Sequence, residues 1–284
     1  MALNLEAIIF GNLQLEQEML RIIVALAGLI IFSWFDLFNN RNIPNNLLYL
    51  FLGISVLVNL AYSSNTLEFS LLVSLLIALV SYIFYRAGQI GGADALVLVS
   101  ISQLLPIHPS FLNLSFNFPF IFSTFLFSGF LFIIYFISYF LVRVIKEQSP
   151  ANSLYLLLSI PYLAFSYFYI NSPIFFPFYF LILSLSFISI IFFYTYKDSI
   201  SKMLIEEVPL KDVQEEEILA IDFMDQTIIK KFNIQRLVTK KEIEKLKKSK
   251  LKKIFVYTKL PPFIPFILFG FILALLFSNY LLLS

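Results

Sequence analysis

Two aspartates lie where a charge is costly. Asp36 closes the apolar run "IIFSWFDLF", and Asp94 follows two glycines at the head of "GGADALVL". The chain has eighteen acidic residues, yet between residues 20 and 196 the acidic positions are Asp36, Glu68, Asp94 and Glu147. Glu68 and Glu147 fall in expected loops, where water solvates them. A charged aspartate at full bilayer depth costs roughly 2.5–3.5 kcal/mol on insertion scales. Two carboxylates held close cannot comfortably both ionise, so they share a proton. One can then take a proton from water while the other donates to a peptide carbonyl oxygen, which is aspartic proteolysis. Two other uses compete: a helix cap or solvated interface residue, and a step in a proton or cation pathway.

The elements that must position them are membrane spans. Of the 284 residues 60% are hydrophobic and 13% charged, with mean hydropathy +0.87, against roughly 45–50% apolar in soluble domains. Apolar runs long enough for a bilayer core of about 30 Å are expected at 18–38, 44–62, 67–86, 92–106, 118–143, 152–170, 174–196 and 262–283. The fold class is thus an all-α polytopic membrane protein of about eight transmembrane helices. A small α+β cytoplasmic insert precedes the last of them. The expected division is 1–196 (transmembrane catalytic domain), 197–260 (insert) and 261–284 (final transmembrane helix).

Basic residues set the orientation. With the N-terminus outside, Arg41, Arg86, Arg143, Lys146 and the fifteen Lys and Arg of 197–259 all face the cytoplasm, leaving Arg21 of the twenty at the outer end. Asp36, ending an inward span, and Asp94, opening an outward one, then share the cytoplasmic membrane face. The first twenty residues carry Glu6, Glu16 and Glu18 and no Lys or Arg, so no secretory signal is expected. Having no cysteine, the chain makes no disulfide and no thiolate site. No metal site and no cofactor are expected.

Within the insert, "ILAIDF" and "KIFVY" look like short strands. Thr239 with Glu242 fits a capping box. Ile243, Leu246 and Leu251 should line one helix face, with Glu244 and Lys248 paired. Pro261-Pro262 should open the last span. The acidic run Glu206–Glu217 is read as a solvated face or an attractor of basic substrate. The lysines between Lys240 and Lys253 are read as topology signals or headgroup contacts rather than nucleic-acid ligands. His108 and the glycosylation sequon Asn113-Leu114-Ser115 belong to outer loops.

"DLFNNRNIPN" and "GGADALVL" together resemble the prepilin peptidase family, especially its archaeal members, which include preflagellin peptidase. The likeness runs through Asp36, Arg41, Ile43, Pro44 and Asn45, then Gly91, Gly92, Ala93 and Asp94. The Pro-rich entry "VYTKLPPFIPFILFGFILAL" also looks like the family's last segment. The resemblance implies a membrane aspartic endopeptidase that cleaves the leader of type IV pilin-like or archaellin precursors at the cytoplasmic membrane face. Asp36 and Asp94 would be catalytic, with Arg41, Pro44, Asn45, Gly91 and Gly92 in support. Many archaeal relatives carry Lys two residues after the second aspartate, where this chain has Leu96. The bacterial enzymes often add a cysteine-rich domain and N-methylate their product, and neither feature is evident here.

On physical grounds Pro44 suits helix entry after a polar turn at Asn39–Asn42, and the glycines could admit an extended substrate strand or simply form a tight loop. Helix dipoles would make Asp94 the base and Asp36 the acid. The rival readings are a presenilin-like intramembrane protease, whose usual tyrosine-aspartate motif is replaced here by Phe35-Asp36, and an ion-coupled carrier.

Overall fold

A computed structural model describes residues 13–39, 42–62, 66–112, 118–213, 217–249, 254–257 and 261–282. Eight apolar helices form at the expected places: α1 (Glu18–Phe38), α2 (Asn45–Ala61), α3 (Leu67–Arg86), α4 (Gly92–Leu104), α5 (Phe120–Lys146), α6 (Ser159–Ile170), α7 (Pro177–Thr195) and, after the insert, α11 (Ile264–Leu282). A helix bonds its own backbone, which lets such apolar runs leave water.

Five segments are long and apolar enough to cross a membrane: α1, α3, α5, α7, and α6 together with the 3₁₀ turn Ser153–Leu158 before it. The helices α2 and α4 and the part Ile264–Asn279 of α11 are apolar but shorter. The fourth expected span is thus a 13-residue helix, about 20 Å long at 1.5 Å per residue. The chain beyond it is buried from Leu105 to Pro109, so an expected solvated loop instead continues the core.

α4 is the hub, packing chiefly on α3 and α2 and also on α1 and α5, while α11 lies against α5 and α1. One apolar core joins them, built on Ala25, Leu29, Val97, Ile101, Phe120, Ile267 and Phe271. Small residues permit the closest approaches. A Cβ on Gly28 would strike the Phe51 ring, and one on Gly270 would strike Ser128.

Arg21, expected at the outer membrane face, is fully buried. Its Nη1 donates to the Leu104 carbonyl (3.0 Å), its Nη2 to that of Tyr62 (2.8 Å) and its Nε to that of Glu16 (2.8 Å). Tyr62 and Leu104 end α2 and α4, where carbonyls lack intrahelical partners. A single guanidinium thus satisfies two helix ends.

The insert has its own hydrophobic cluster, with Leu219, Val238, Leu246, Ile254 and Val256 at its centre. It holds α8 (Lys197–Met203), α9 (Gln226–Phe232), α10 (Lys240–Ser249) and an antiparallel pair, β1 (Glu206–Val208) with β2 (Ile254–Val256), in register Glu206↔Val256. The "KIFVY" strand forms as β2. "ILAIDF" does not become a strand: Ile218 and Leu219 make isolated bridges and Ile221–Phe223 turns into a 3₁₀ helix. The bridge partners are Leu237 and Val256, which bury Leu219 without a longer ladder.

Thr239 Oγ1 accepts the Glu242 N–H at 3.4 Å, half of the expected box. The Glu242 carboxylate turns instead to the Gln235 N–H (3.0 Å) and Lys245 (2.7 Å). Leu246 is fully buried and Ile243 half-buried on the expected face; Leu251, like the sequon, lies outside the described residues. The last helix begins at Ile264, two residues beyond Pro261-Pro262, and carries Pro265 in its first turn, where a missing N–H costs little.

Candidate active site

Asp36 sits two residues from the end of α1, 8% exposed. Its Oδ2 accepts the backbone N–H of Ile264, at 3.2 Å and 228 residues away. Helix starts carry N–H groups without intrahelical partners. In "PPFIPF" the prolines at 261, 262 and 265 have no N–H, so the Ile264 donor is one of few at this end. Asp36 meets that need, which also fixes α11 against α1.

Asp94 lies at the third position of α4 and is half-buried. Its Oδ2 accepts the Gly91 N–H at 3.1 Å, closing a capping arrangement around the helix start. The loop before it is short because α3 ends in a Schellman motif. The Gln89 N–H bonds to the Phe84 carbonyl and the Gly88 N–H to that of Tyr85, both at 2.9 Å. Gly88 adopts φ +68°, the left-handed conformation that only glycine takes freely.

The structure puts the two carboxylates within electrostatic reach of each other. α1 and α4 are in contact, and the Asp36 and Asp94 charges act on one another. Each oxygen cluster is anchored by one backbone N–H at a helix N-terminus, Asp36 on α11 and Asp94 on its own α4. The start of α11 thus adds a positive helix end beside Asp36, alongside the contrast expected from the carboxylates' own helices. Among the described residues no group of three or more His, Cys, Asp and Glu is arranged to hold a metal.

The supporting residues divide. Gly91 caps α4, and a Cβ there would stand 3.1 Å from Asp94 Oδ2. Gly92 opens the helix, with the Tyr85 ring 3.4 Å from where its Cβ would be. Pro44 caps α2, its carbonyl accepting from Leu47 (3.0 Å) and Leu48 (3.3 Å). Asn45, in the first turn, is exposed. The expected turn forms, with the Asn42 N–H on the Asn39 carbonyl (2.8 Å). The neighbour that anchors this loop is Ile43, 7% exposed in the core. Arg41 lies outside the described residues.

Sequence reasoning missed Ile264, Tyr85 and Gly88. Gly88, just after Arg86 at the end of a span, carried a C-cap signal. The reach of Ile264 to Asp36 had none, because a backbone N–H has no residue type.

Residues 23–142, which contain both aspartates, match the model of the type IV leader peptidase family. The matched segment is less than half of the chain. The match takes in Asp36, Arg41, Pro44, Asn45, Gly91, Gly92 and Asp94, and leaves out Ile264 and the Pro-rich entry to α11. No curated protein and no solved structure matches the chain.

Proposed function

We propose that the protein is a membrane aspartic endopeptidase that removes the leader from type IV pilin-like or archaellin precursors. Asp36 and Asp94 form the catalytic pair, working at the cytoplasmic face of a multi-pass, eight-span arrangement with the N-terminus outside. What supports this reading is that two contacting helices put Asp36 and Asp94, nearly sixty residues apart in sequence, within electrostatic reach of each other inside the family-matched segment.

The pair shares one proton. One carboxylate draws a proton from the attacking water as its oxygen bonds to the scissile carbonyl carbon. The other, protonated, donates to the carbonyl oxygen; as the tetrahedral intermediate collapses the C–N bond breaks, the amine takes the proton drawn from water, and the second carboxylate recovers a proton from the intermediate's hydroxyl. Gly91 and Gly92, without side chains at the α4 entrance, leave room for an extended precursor beside Asp94.

The test is processing of a co-expressed precursor with a basic, pilin-type leader in membranes, at matched protein levels. Asp36→Asn and Asp94→Asn should each reduce cleavage at least ~100-fold, the lower end of what a positioned acid or base contributes, with insertion unchanged. Cleavage that survives either change would remove the aspartic mechanism and raise the carrier reading.

A further inference from the structure

At the end of α5, away from the carboxylate pair, a cavity of about 680 Å³ opens between the α5–α6 loop and the α7–α8 junction. Arg143, Asn152, Tyr155, Thr195, Lys197 and Lys202 line it. Thr195 is 4% exposed and its Oγ1 has no hydrogen-bond partner, an unusual state for a buried hydroxyl. The neighbouring Asn152 N–H holds the Thr195 carbonyl at 3.0 Å, so the wall is fixed.

Arg143 stacks on the Tyr139 ring, 4.8 Å from its centroid. Among the described residues no ion pair engages Arg143, Lys146, Lys197 or Lys202. Glu147 and Asp198 also line the cavity, but both are solvent-exposed.

The cavity adjoins a second hollow of about 640 Å³ along the outer face of α5, lined by Tyr135, Ser138, Tyr139 and Val142. The two share Arg143 and Glu147. Val142 is 56% and Tyr135 42% exposed there, on a helix apolar enough to span a membrane. A largely apolar groove on a helix able to span a membrane thus ends in a pocket that holds Arg143, Lys197, Lys202 and an unsatisfied hydroxyl, with Glu147 and Asp198 as exposed at its rim as the two lysines. That is the outline of a phospholipid: an acyl chain along the groove and a phosphate in the pocket.

We propose that this corner is a binding site for an anionic phospholipid, whose phosphate takes the Arg143 guanidinium and the Thr195 hydroxyl. Arginine suits phosphate through its planar fork of donors, and Lys197 and Lys202 add positive charge at the pocket mouth. The site rests on the membrane reading and is independent of the catalytic one.

Native mass spectrometry of the full-length protein, exchanged with mixed phosphatidylglycerol and phosphatidylcholine, tests it. Wild type should retain phosphatidylglycerol at least ~10-fold over phosphatidylcholine, about 1.4 kcal/mol. Arg143→Gln and Thr195→Val should each lose most of that preference, while Lys230→Gln, an exposed cation of the insert, should keep it. Thr195→Val is nearly isosteric and carries the test alone if Arg143→Gln does not fold. Equal retention of the two lipids by wild type would overturn the site, as would an unchanged preference in the variants. Displacement by millimolar inorganic phosphate would reassign the pocket to a free anion. Displacement by a soluble basic leader peptide would reassign it to substrate.

Discussion

Asp36 does two things at once: its charge acts on Asp94, and it satisfies the first-turn donor of the last helix. The two duties separate by substitution. Asparagine keeps an oxygen for the Ile264 N–H, whereas alanine leaves a buried donor unpaired at a cost of about 1–3 kcal/mol. Both variants should be inactive, and Asp36→Ala should unfold at a lower temperature than Asp36→Asn in detergent; coincident melting curves would deny the structural duty. The glycines differ in the same graded way. Gly91→Ala places a methyl at 3.1 Å from the Asp94 carboxylate, tighter than an ordinary contact, and should cut precursor cleavage sharply. Gly92→Ala meets Tyr85 at 3.4 Å and should be tolerated, with Gly92→Val abolishing cleavage while the protein still inserts. Cleavage assays on the three variants in matched membranes decide between these outcomes.

Among the elements, α4 has to be short. Its 13 residues start at a capped aspartate and stop where Arg21 takes the last carbonyl, so its two ends are fixed by side chains rather than by bilayer thickness. Arg21→Met keeps the bulk but leaves carbonyls of α2 and α4 without a donor. It should destabilise the protein by more than ~2 kcal/mol, read as a lower thermal midpoint. An unchanged midpoint would make the clamp dispensable. Helix positions were legible from apolar length and punctuation, and α1 and α3 begin and end where "EML…DLF" and "LEF…FYR" place them. Crossing capacity was less so: length alone could not say that the chain after Leu104 stays buried. The two motifs were legible because carboxylates and glycines are conspicuous in an apolar chain. Arg21 was read as a stray outer charge, since a sequence does not disclose that three carbonyls converge on it. "ILAIDF" failed as a strand because its partners, Leu237 and Val256, are set by tertiary contact.

At the scale of the whole molecule, the insert lies against the loop that leads into the second aspartate's helix: a Cβ on Gly88 would stand 3.8 Å from Ile218 and 3.9 Å from Arg236. The opposite pole is held by His108, 7% exposed, between the Phe118 carbonyl (2.7 Å) and Ser123 Oγ (2.9 Å). A carbonyl can only accept, so Nδ1 carries the proton and Nε2 accepts from the serine. Burial pushes the imidazole from its ordinary 6.5 down to about 4, against a smaller opposing effect of the Phe118 carbonyl. Above pH 6.5 both folded and unfolded chains hold it neutral, and stability is full. As pH falls from 6.5 to about 4 the unfolded chain takes up a proton that the folded one refuses, and roughly 3 kcal/mol is lost. Unfolding in detergent at pH 7 and pH 4.5 should show this drop in wild type and a smaller one in His108→Gln; equal drops would locate the acid sensitivity elsewhere. The Ile264–Asp36 bond, finally, sets a timetable. It ties the first apolar helix to the last, so during synthesis the carboxylate pair waits for nearly the whole chain to be threaded into the bilayer. A ribosome-tethered fragment ending before residue 264 would hold both aspartates and still lack the donor that seats one of them. Completion of the polypeptide thus supplies the last contact that seats the first of the two aspartates.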